Sequence, residues 1–109
     1  MKLITAIVNK KDAAGVCGAL RKEKFFFTKL STSGGFLGEG NTTLLIGVED
    51  EQVKGVLEVI RLHCQKRMEP MPAIMGAEAG YPAFNYTAAQ VLVGGATVFV
   101  TNIEHFEKF

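Results

Sequence analysis

The sequence of 109 residues contains no tryptophan, only two cysteines and only three prolines. Two cysteines cannot supply the dense disulfide framework that small secreted domains use in place of a large core. The longest largely apolar stretch, residues 91–100, is half the roughly 20 residues that a transmembrane helix requires. Basic residues number 12 and acidic residues 11, so the net charge of +1 predicts no surface for duplex DNA. These absences favour one soluble domain over residues 1–109.

The N-terminal apolar run, residues 3–8, is too short for a secretory signal peptide, and a lysine pair follows it. We therefore expect a cytoplasmic protein without membrane association. Cys17 and Cys64 lie in different predicted helices and lack CxxC spacing, which is typical of buried free thiols. His63 and Cys64 are adjacent, so they point about 100° apart on a helix and make a poor chelate. We expect no metal and no cofactor.

Hydrophobic periodicity predicts alternating strands and helices. Apolar spacings of three and four indicate one helix capped by Asp12 and another capped by Asp50. Residues 68–83 contain all three prolines and are typical of an irregular connection, with a short strand near residues 73–75. Residues 102–109 are expected to form a final helical turn. Strands are predicted at residues 3–8 (buried on both faces), 25–32, 42–48, 85–93 and 96–100.

The order of these elements is β-α-β-β-α-β with an extra strand near the C-terminus. Gly94-Gly95 lies between the last two predicted strands and is a two-glycine hairpin signal. Two helices on one face of an antiparallel sheet make a ferredoxin-like α+β fold. The other face of the sheet would then be available for oligomerisation.

Residues 33–41 contain four glycines in nine positions and are predicted to form a loop. Its central residues, Phe36 and Leu37, are apolar where a surface loop is normally polar. A nucleobase could stack on Phe36, Asn41 could hydrogen-bond a base edge, and glycine lets a ligand approach backbone N–H groups. A plain turn anchored on the core or on a neighbouring subunit fits the same residues. The segment matches neither a Walker A loop nor the dinucleotide fingerprint.

Catalytic signatures are weak in this sequence. No Ser/His/Asp or Cys/His set is indicated by position, and Glu39 and Asp50 have no evident partner for acid–base chemistry. Lys29, on a predicted strand close to the loop of residues 33–41, could contact phosphate, but an ordinary surface lysine is the favoured interpretation. An acylphosphatase-like phosphate loop would need an arginine after the first strand, where the sequence has Asn-Lys-Lys-Asp. We therefore expect no enzymatic activity.

Several runs of residues resemble the PII-like cyclic-di-AMP receptor family, and the order of elements fits along the whole chain. The runs are Thr28-Lys29-Leu30, Thr32-Ser33-Gly34-Gly35-Phe36-Leu37, Gly40-Asn41-Thr42-Thr43 and Val93-Gly94-Gly95-Ala96-Thr97-Val98-Phe99-Val100. The resemblance implies a homotrimer of ferredoxin-like subunits that binds one cyclic di-AMP in each of three clefts between neighbours. It also implies signalling without catalysis, through loops that reorder when the ligand binds.

The same resemblance implies a set of ligand contacts. Phe36 and Leu37 would enclose an adenine, Asn41 would hydrogen-bond it, and loop N–H groups would meet phosphate. Phe99 and the Gly94-Gly95 turn would lie close by. By position, the family's ligand-contacting segment corresponds to Thr28, Gly35, Phe36, Leu37, Asn41 and Gly47.

One position departs from the family's pattern. Members commonly carry arginine two residues before Thr28, where this sequence has Phe26. The change removes a charge that could pair with the dianionic ligand, so we expect weaker binding of cyclic di-AMP or a preference for another adenine nucleotide. Lys24 could compensate from the same strand face.

Two alternatives remain open. A sensor like the nitrogen-regulatory PII proteins would bind ATP, with Lys66 and Arg67 as the candidate phosphate contacts. A trimeric interaction module with a degenerate pocket would need no ligand. In every case the downstream protein partner cannot be read from the sequence.

Overall fold

The computed structural model describes residues 1–32, 40–70 and 90–109. Within these ranges the chain forms strands and helices in the predicted α+β order. The elements are β1 Lys2–Asn9, α1 Lys10–Lys22, β2 Thr28–Thr32, β3 Asn41–Val48, a 3-10 turn Asp50–Gln52, α2 Val53–His63, β4 Arg67–Pro70, β5 Gln90–Val93 and β6 Ala96–Asn102.

The main sheet contains four antiparallel strands in the order β2-β3-β1-β6. β1 lies inside the sheet, where it pairs with β3 on one side and with β6 on the other. Both helices pack on one face of this sheet, as a ferredoxin-like fold requires. The fold class expected from the sequence is confirmed at this level, with β6 as the fourth strand of the sheet.

The core lies between the main sheet and the helices, because alternate strand residues point to opposite faces. On β1, Ile4, Ala6 and Val8 are buried, whereas the residues between them are only half-buried. The expectation that this strand is buried on both faces is therefore wrong for the single chain. The buried cluster is Ile4, Ala6, Val8, Ala13, Val16, Cys17, Leu20, Leu44, Ile46, Val48, Val56, Ile60 and Cys64.

The first helix begins one turn earlier than the sequence predicts. Asn9 is its N-cap, and the Asn9 Oδ1 atom accepts a hydrogen bond from the backbone N–H of Lys11 at 2.8 Å. Asp12, the predicted cap, lies inside the first turn and is buried. Asparagine and aspartate are both good cap residues, and they lie three positions apart here, so local sequence alone did not distinguish them.

The entry to the second helix also differs from the prediction. Glu49 precedes the 3-10 turn, and its backbone N–H donates to the Gln52 side-chain oxygen at 2.9 Å. Asp50, the predicted cap, instead pairs with the amino group of Met1 at 3.1 Å. A side chain engaged by a charged amine has a stronger partner than a backbone N–H.

The second strand is shorter than predicted, because β2 starts at Thr28 rather than at residue 25. Phe25 and Phe27 pack against the core, whereas Phe26 is 88% exposed. Lys24 adopts a left-handed φ of 64° where the chain leaves α1. Lys24 and Phe26 therefore do not share a strand face, and the expected compensation by that route is wrong.

The C-terminal half contains the largest correction. β5 pairs with β4 in a separate two-stranded sheet, and β6 pairs with β1. Gly94-Gly95 thus joins two sheets and is not the turn of a β5–β6 hairpin. Residues 67–70 form a strand rather than irregular structure, and residues 103–109 contain no helix. The short strand predicted near residues 73–75 lies outside the described residues.

The crossing between the two sheets requires glycine. Gly94 and Gly95 have φ values of 88° and 80°, which side chains rarely tolerate. The Gly95 N–H donates to the Cys64 carbonyl at 2.5 Å, which holds the crossing against the end of α2. A Cβ atom on Gly94 would overlap the carbonyl oxygen of Gln65.

We expect Gly94→Ala to lower the free energy of unfolding by at least about 1–3 kcal/mol, because it adds backbone strain to a steric overlap. Gly18→Ala is the matched control. Gly18 lies exposed on α1, and a Cβ atom added there would have no neighbour within 4 Å, so this change should stabilise the protein by about 0.5–1 kcal/mol. Urea unfolding of both variants tests the comparison, and equal effects would contradict the structure of the crossing.

Candidate functional site

The face of the main sheet opposite the helices, here called the open face, carries every described residue of the predicted site. On β3, Thr42 and Leu44 point into the core, so Asn41 and Gly47 point to the open face. Thr28 is the cross-strand partner of Leu45, which also lies on that face. Thr28, Asn41 and Gly47 are all exposed.

These three residues do not lie together on one subunit. Thr28 and Gly47 are near one end of the β2–β3 pair, whereas Asn41 is at the other end. Gly47 and Asn41 are six positions apart along β3, a distance of about 20 Å at roughly 3.3 Å per residue. A single adenine cannot contact both ends. The open face therefore carries two separate groups of predicted site residues.

The remaining predicted site residues, Gly35, Phe36 and Leu37, lie outside the described residues. The ends of their loop are nevertheless fixed. β2 ends at Thr32 and β3 begins at Asn41, directly across from it in the register. The loop therefore starts and finishes at the Asn41 end of the open face.

A cavity of about 290 Å³ lies at this same end and is here called the Asn41 cavity. Its size is near the lower limit of the roughly 300–1,000 Å³ found for small-molecule sites. Sequence reasoning named Asn41, the glycine pair and Lys66, the last as a candidate phosphate contact, but missed the contributions of Asn9 and Thr97. The lining residues are Ile7, Asn9, Asn41, Lys66, Gly94, Gly95, Ala96 and Thr97.

The Gly94-Gly95 crossing forms one wall of the Asn41 cavity. Phe99 is different: it pairs with Thr5 on the open face, is 54% exposed and does not line this cavity. The lysine in the wall, Lys66, has its side-chain carbons along Gly95. A Cβ on Gly95 would lie 3.1 Å from the Lys66 Cγ atom, so the glycine leaves a path for the lysine chain.

A second, more apolar cavity of about 560 Å³ lies on the helix side of the sheet. It shares Lys66, Gly95 and Ala96 with the Asn41 cavity, so these three residues separate the two spaces. Its other lining residues are Leu57, Ile60, Arg61, Cys64, Gln65 and Val98.

Arg67, one of the two basic residues considered for ATP phosphates, is committed to carboxylates of the same chain. It contacts Asp12 at 3.0 Å and Glu69 at 3.0 Å. The hydrogen bond to Asp12, followed by that to Glu69, raises the pKa of the Arg67 guanidinium. Lys11 binds the other oxygen of Glu69 at 2.8 Å, and the two cations lower the pKa of that carboxyl. Of the two candidate phosphate contacts, Lys66 and Arg67, only Lys66 is therefore left as a candidate.

Both cysteines are free and buried, as expected. Burial raises the pKa of the Cys64 thiol to about 11, the charge of Asp12 adds to the effect, and that of Arg67 opposes it. Among the described residues, no group of three histidine, cysteine, aspartate or glutamate side chains is placed to hold a metal ion. None of the described helices has the length and apolar character needed to cross a membrane.

We expect the raised pKa of Cys64 to govern its alkylation in a Cys17→Ala background. The thiolate is the reactive species, so the rate should rise about tenfold per pH unit up to pH 10 without levelling. The urea-unfolded protein is the control, and its rate should level near pH 9. The folded state disfavours the thiolate, so stability from this group should fall as pH rises from about 9 to about 11. Levelling below pH 9 in the folded protein would contradict the burial of Cys64.

Two comparisons with known proteins bear on the site. The chain matches, over residues 1–109, the family model described as cyclic-di-AMP receptor. It is also similar to a solved structure described as "The crystal structure of a functionally unknown protein from Pediococcus pentosaceus ATCC 25745". The two are 42% identical with a TM-score of 0.75, over 99% of this chain and 96% of that one. That second match supports the fold and assigns no activity.

Proposed function

Because this chain belongs to the cyclic-di-AMP receptor family, we propose that it is a non-enzymatic signal-transduction protein that binds cyclic di-AMP. The match over residues 1–109 carries the proposal, and it confirms the resemblance found in the sequence. The protein acts as a single PII-like domain in the cytoplasm, without a cofactor. Its output is a change of loop conformation that a downstream protein partner recognises.

The binding clefts in this proposal lie between the subunits of a homotrimer. The separation of about 20 Å between Gly47 and Asn41 supports it, since neighbouring subunits can each supply one group of contacts to the same ligand. The apolar content of the open face supports it too. Leu30 is 46% exposed and Phe99 54% exposed in the single chain, and association would remove this apolar area from water.

Within each cleft, Phe36 and Leu37 enclose an adenine and Asn41 hydrogen-bonds its edge, while Thr28, Gly35 and Gly47 complete the contacts. The Asn41 cavity supports this arrangement, because it lies where the loop that carries Phe36 begins and ends. Ligand binding reorders that loop, residues 33–41, and the connection at residues 68–82. The reordered loops are the signal.

With Phe26 in place of an arginine, this protein binds cyclic di-AMP more weakly than it would with an arginine at that position. Phe26 is 88% exposed, so its ring is accessible for stacking, but it supplies no charge for the phosphates. ATP is a less favoured ligand, because Arg67 is held by Asp12 and Glu69. A trimeric module with a degenerate pocket is the outcome if no nucleotide binds.

Isothermal titration calorimetry with cyclic di-AMP tests the ligand, with ATP and cyclic di-GMP as parallel titrants. We expect saturable, selective binding of about one cyclic di-AMP per subunit. Phe26→Arg should tighten it about tenfold, because a charge-assisted contact contributes roughly 1–3 kcal/mol. Leu62→Arg is the matched control: it adds the same charge to an exposed apolar position on α2 and should leave affinity unchanged.

No binding of cyclic di-AMP by the native protein and by Phe26→Arg would refute the proposed ligand. Submicromolar affinity of the native protein would instead refute only the weakening assigned to Phe26.

Subunit mixing tests whether the cleft is shared. Thr28→Ala and Asn41→Ala alter opposite ends of the open face, and each variant alone should lose affinity for the ligand. If neighbours supply the two ends, random mixing at equal amounts restores about one quarter of the clefts, because each contact set comes from a different subunit. Recovery of no high-affinity sites by co-expressed trimers would show that one subunit supplies both ends. A monomer by sedimentation equilibrium would contradict the trimer itself.

A further inference from the structure

We propose that Arg67 is a positioning residue that fixes the two walls of the Asn41 cavity relative to each other. The inference rests on the proposed function, since the cavity is there assigned to the ligand. Arg67 does not line the cavity. It acts through the segments on either side, one at the start of α1 and the other where the two sheets cross.

The first wall contains Asn9, the cap of α1. Asp12 lies three residues later, in the first turn of that helix, and is buried. Its Oδ1 atom forms an ion pair with the Arg67 Nη2 atom at 3.0 Å. Asp12 is only 7% exposed. A short, rigid length of helix therefore connects the cavity wall to the guanidinium group.

The second wall contains Lys66 and the glycine crossing. Arg67 Nη1 donates to the Gln65 carbonyl at 3.2 Å, and this is the carbonyl against which Gly94 packs. The adjacent Cys64 carbonyl accepts the Gly95 N–H. The Cys64–Arg67 backbone is therefore held by the glycine pair on one side and by the guanidinium on the other.

The guanidinium is oriented by a third acceptor. Its Nε donates to Glu69 Oε1 at 3.0 Å, and Lys11 holds Glu69 Oε2 at 2.8 Å. The backbone N–H of Lys11 also donates to the Asn9 Oδ1 atom, which caps the helix. Three acceptors, Asp12 on α1 and Gln65 and Glu69 beside Arg67 itself, thus fix one planar fork, an arrangement that a lysine at position 67 cannot reproduce.

The buried carboxylate makes this arrangement costly to break. Within the described residues, Asp12 Oδ2 has no hydrogen-bond partner, and Arg67 is the cation paired with Oδ1. Removing the guanidinium leaves a buried charge without compensation, which is strongly unfavourable. The first turn of α1 then shifts or admits water, and the wall that carries Asn9 moves with it.

Two measurements test the proposal, and only the second needs a ligand. The first is the alkylation rate of Cys64 in a Cys17→Ala background, because Cys64 lies at the joint and is 4% exposed. Arg67→Met should raise this rate about tenfold or more through local opening, against the effect of losing the Arg67 charge, which alone would raise the Cys64 pKa and slow alkylation. Asp12→Asn should raise the rate too, but there the loss of a charge that raises the Cys64 pKa contributes as well, so Arg67→Met decides the alkylation test. Arg61→Met is the matched control, since among the described residues Arg61 pairs with Glu58 on the surface of α2.

The second measurement determines, for each variant, both the affinity for cyclic di-AMP and the melting temperature. Arg67→Met should weaken binding about tenfold or more, and Arg67→Lys, which keeps the charge, should weaken it similarly while retaining most of the thermal stability. Arg61→Met should bind like the native protein. If Arg67→Met fails to fold, Arg67→Lys and Asp12→Asn decide the result.

The outcomes separate this inference from the proposed function. Faster alkylation with native affinity would overturn the positioning role and leave Arg67 as a structural residue only. Unchanged alkylation in all variants would overturn the inference whether or not the ligand binds. If the native protein does not bind cyclic di-AMP, the proposed function fails, and faster alkylation still supports the coupling of the two walls by Arg67.

Discussion

Two helices can cover only one face of a four-stranded sheet, and most of this structure follows from that constraint. The covered face takes the buried cluster, in which Ile4, Leu44 and Ile46 are fully buried. The open face keeps apolar side chains that water solvates poorly, including Leu30 and Phe99. It also carries the exposed residues of the predicted site. The proposed association and the proposed ligand site therefore concern the same surface.

The second constraint is the way in which the chain enters its last strand. β6 must pair with β1 to complete the main sheet, but the chain first forms the β4–β5 pair. Two consecutive glycines with positive φ make the change of sheet within two residues. The same crossing becomes a wall of the Asn41 cavity. The geometry that completes the fold thus also shapes the candidate site.

Much of the fold could be predicted because the signals for it are local. Alternation along β1 and β3 and the spacing of Val56 and Ile60 on α2 depend on residues within one element. The β5–β6 hairpin was wrong because a glycine pair specifies a tight change of direction and not the partner strand. The pairing of Arg67 with Val93 joins residues far apart in the chain. Local sequence contains no information about that choice.

In the candidate site, too, the features with a local signal could be predicted and the long-range contacts could not. Asn41 could be found from sequence because it ends a predicted loop that is rich in glycine and has an apolar centre, and the glycine pair because the family resemblance placed it near the ligand. Asp12 could not, since an aspartate at the start of a helix is the ordinary signal for a cap. Its carboxylate is instead buried against Arg67, 55 positions later in the chain. A charge buried in this way constrains two segments at once, and so the least conspicuous carboxylate of the sequence connects the helix start to the wall of the cavity.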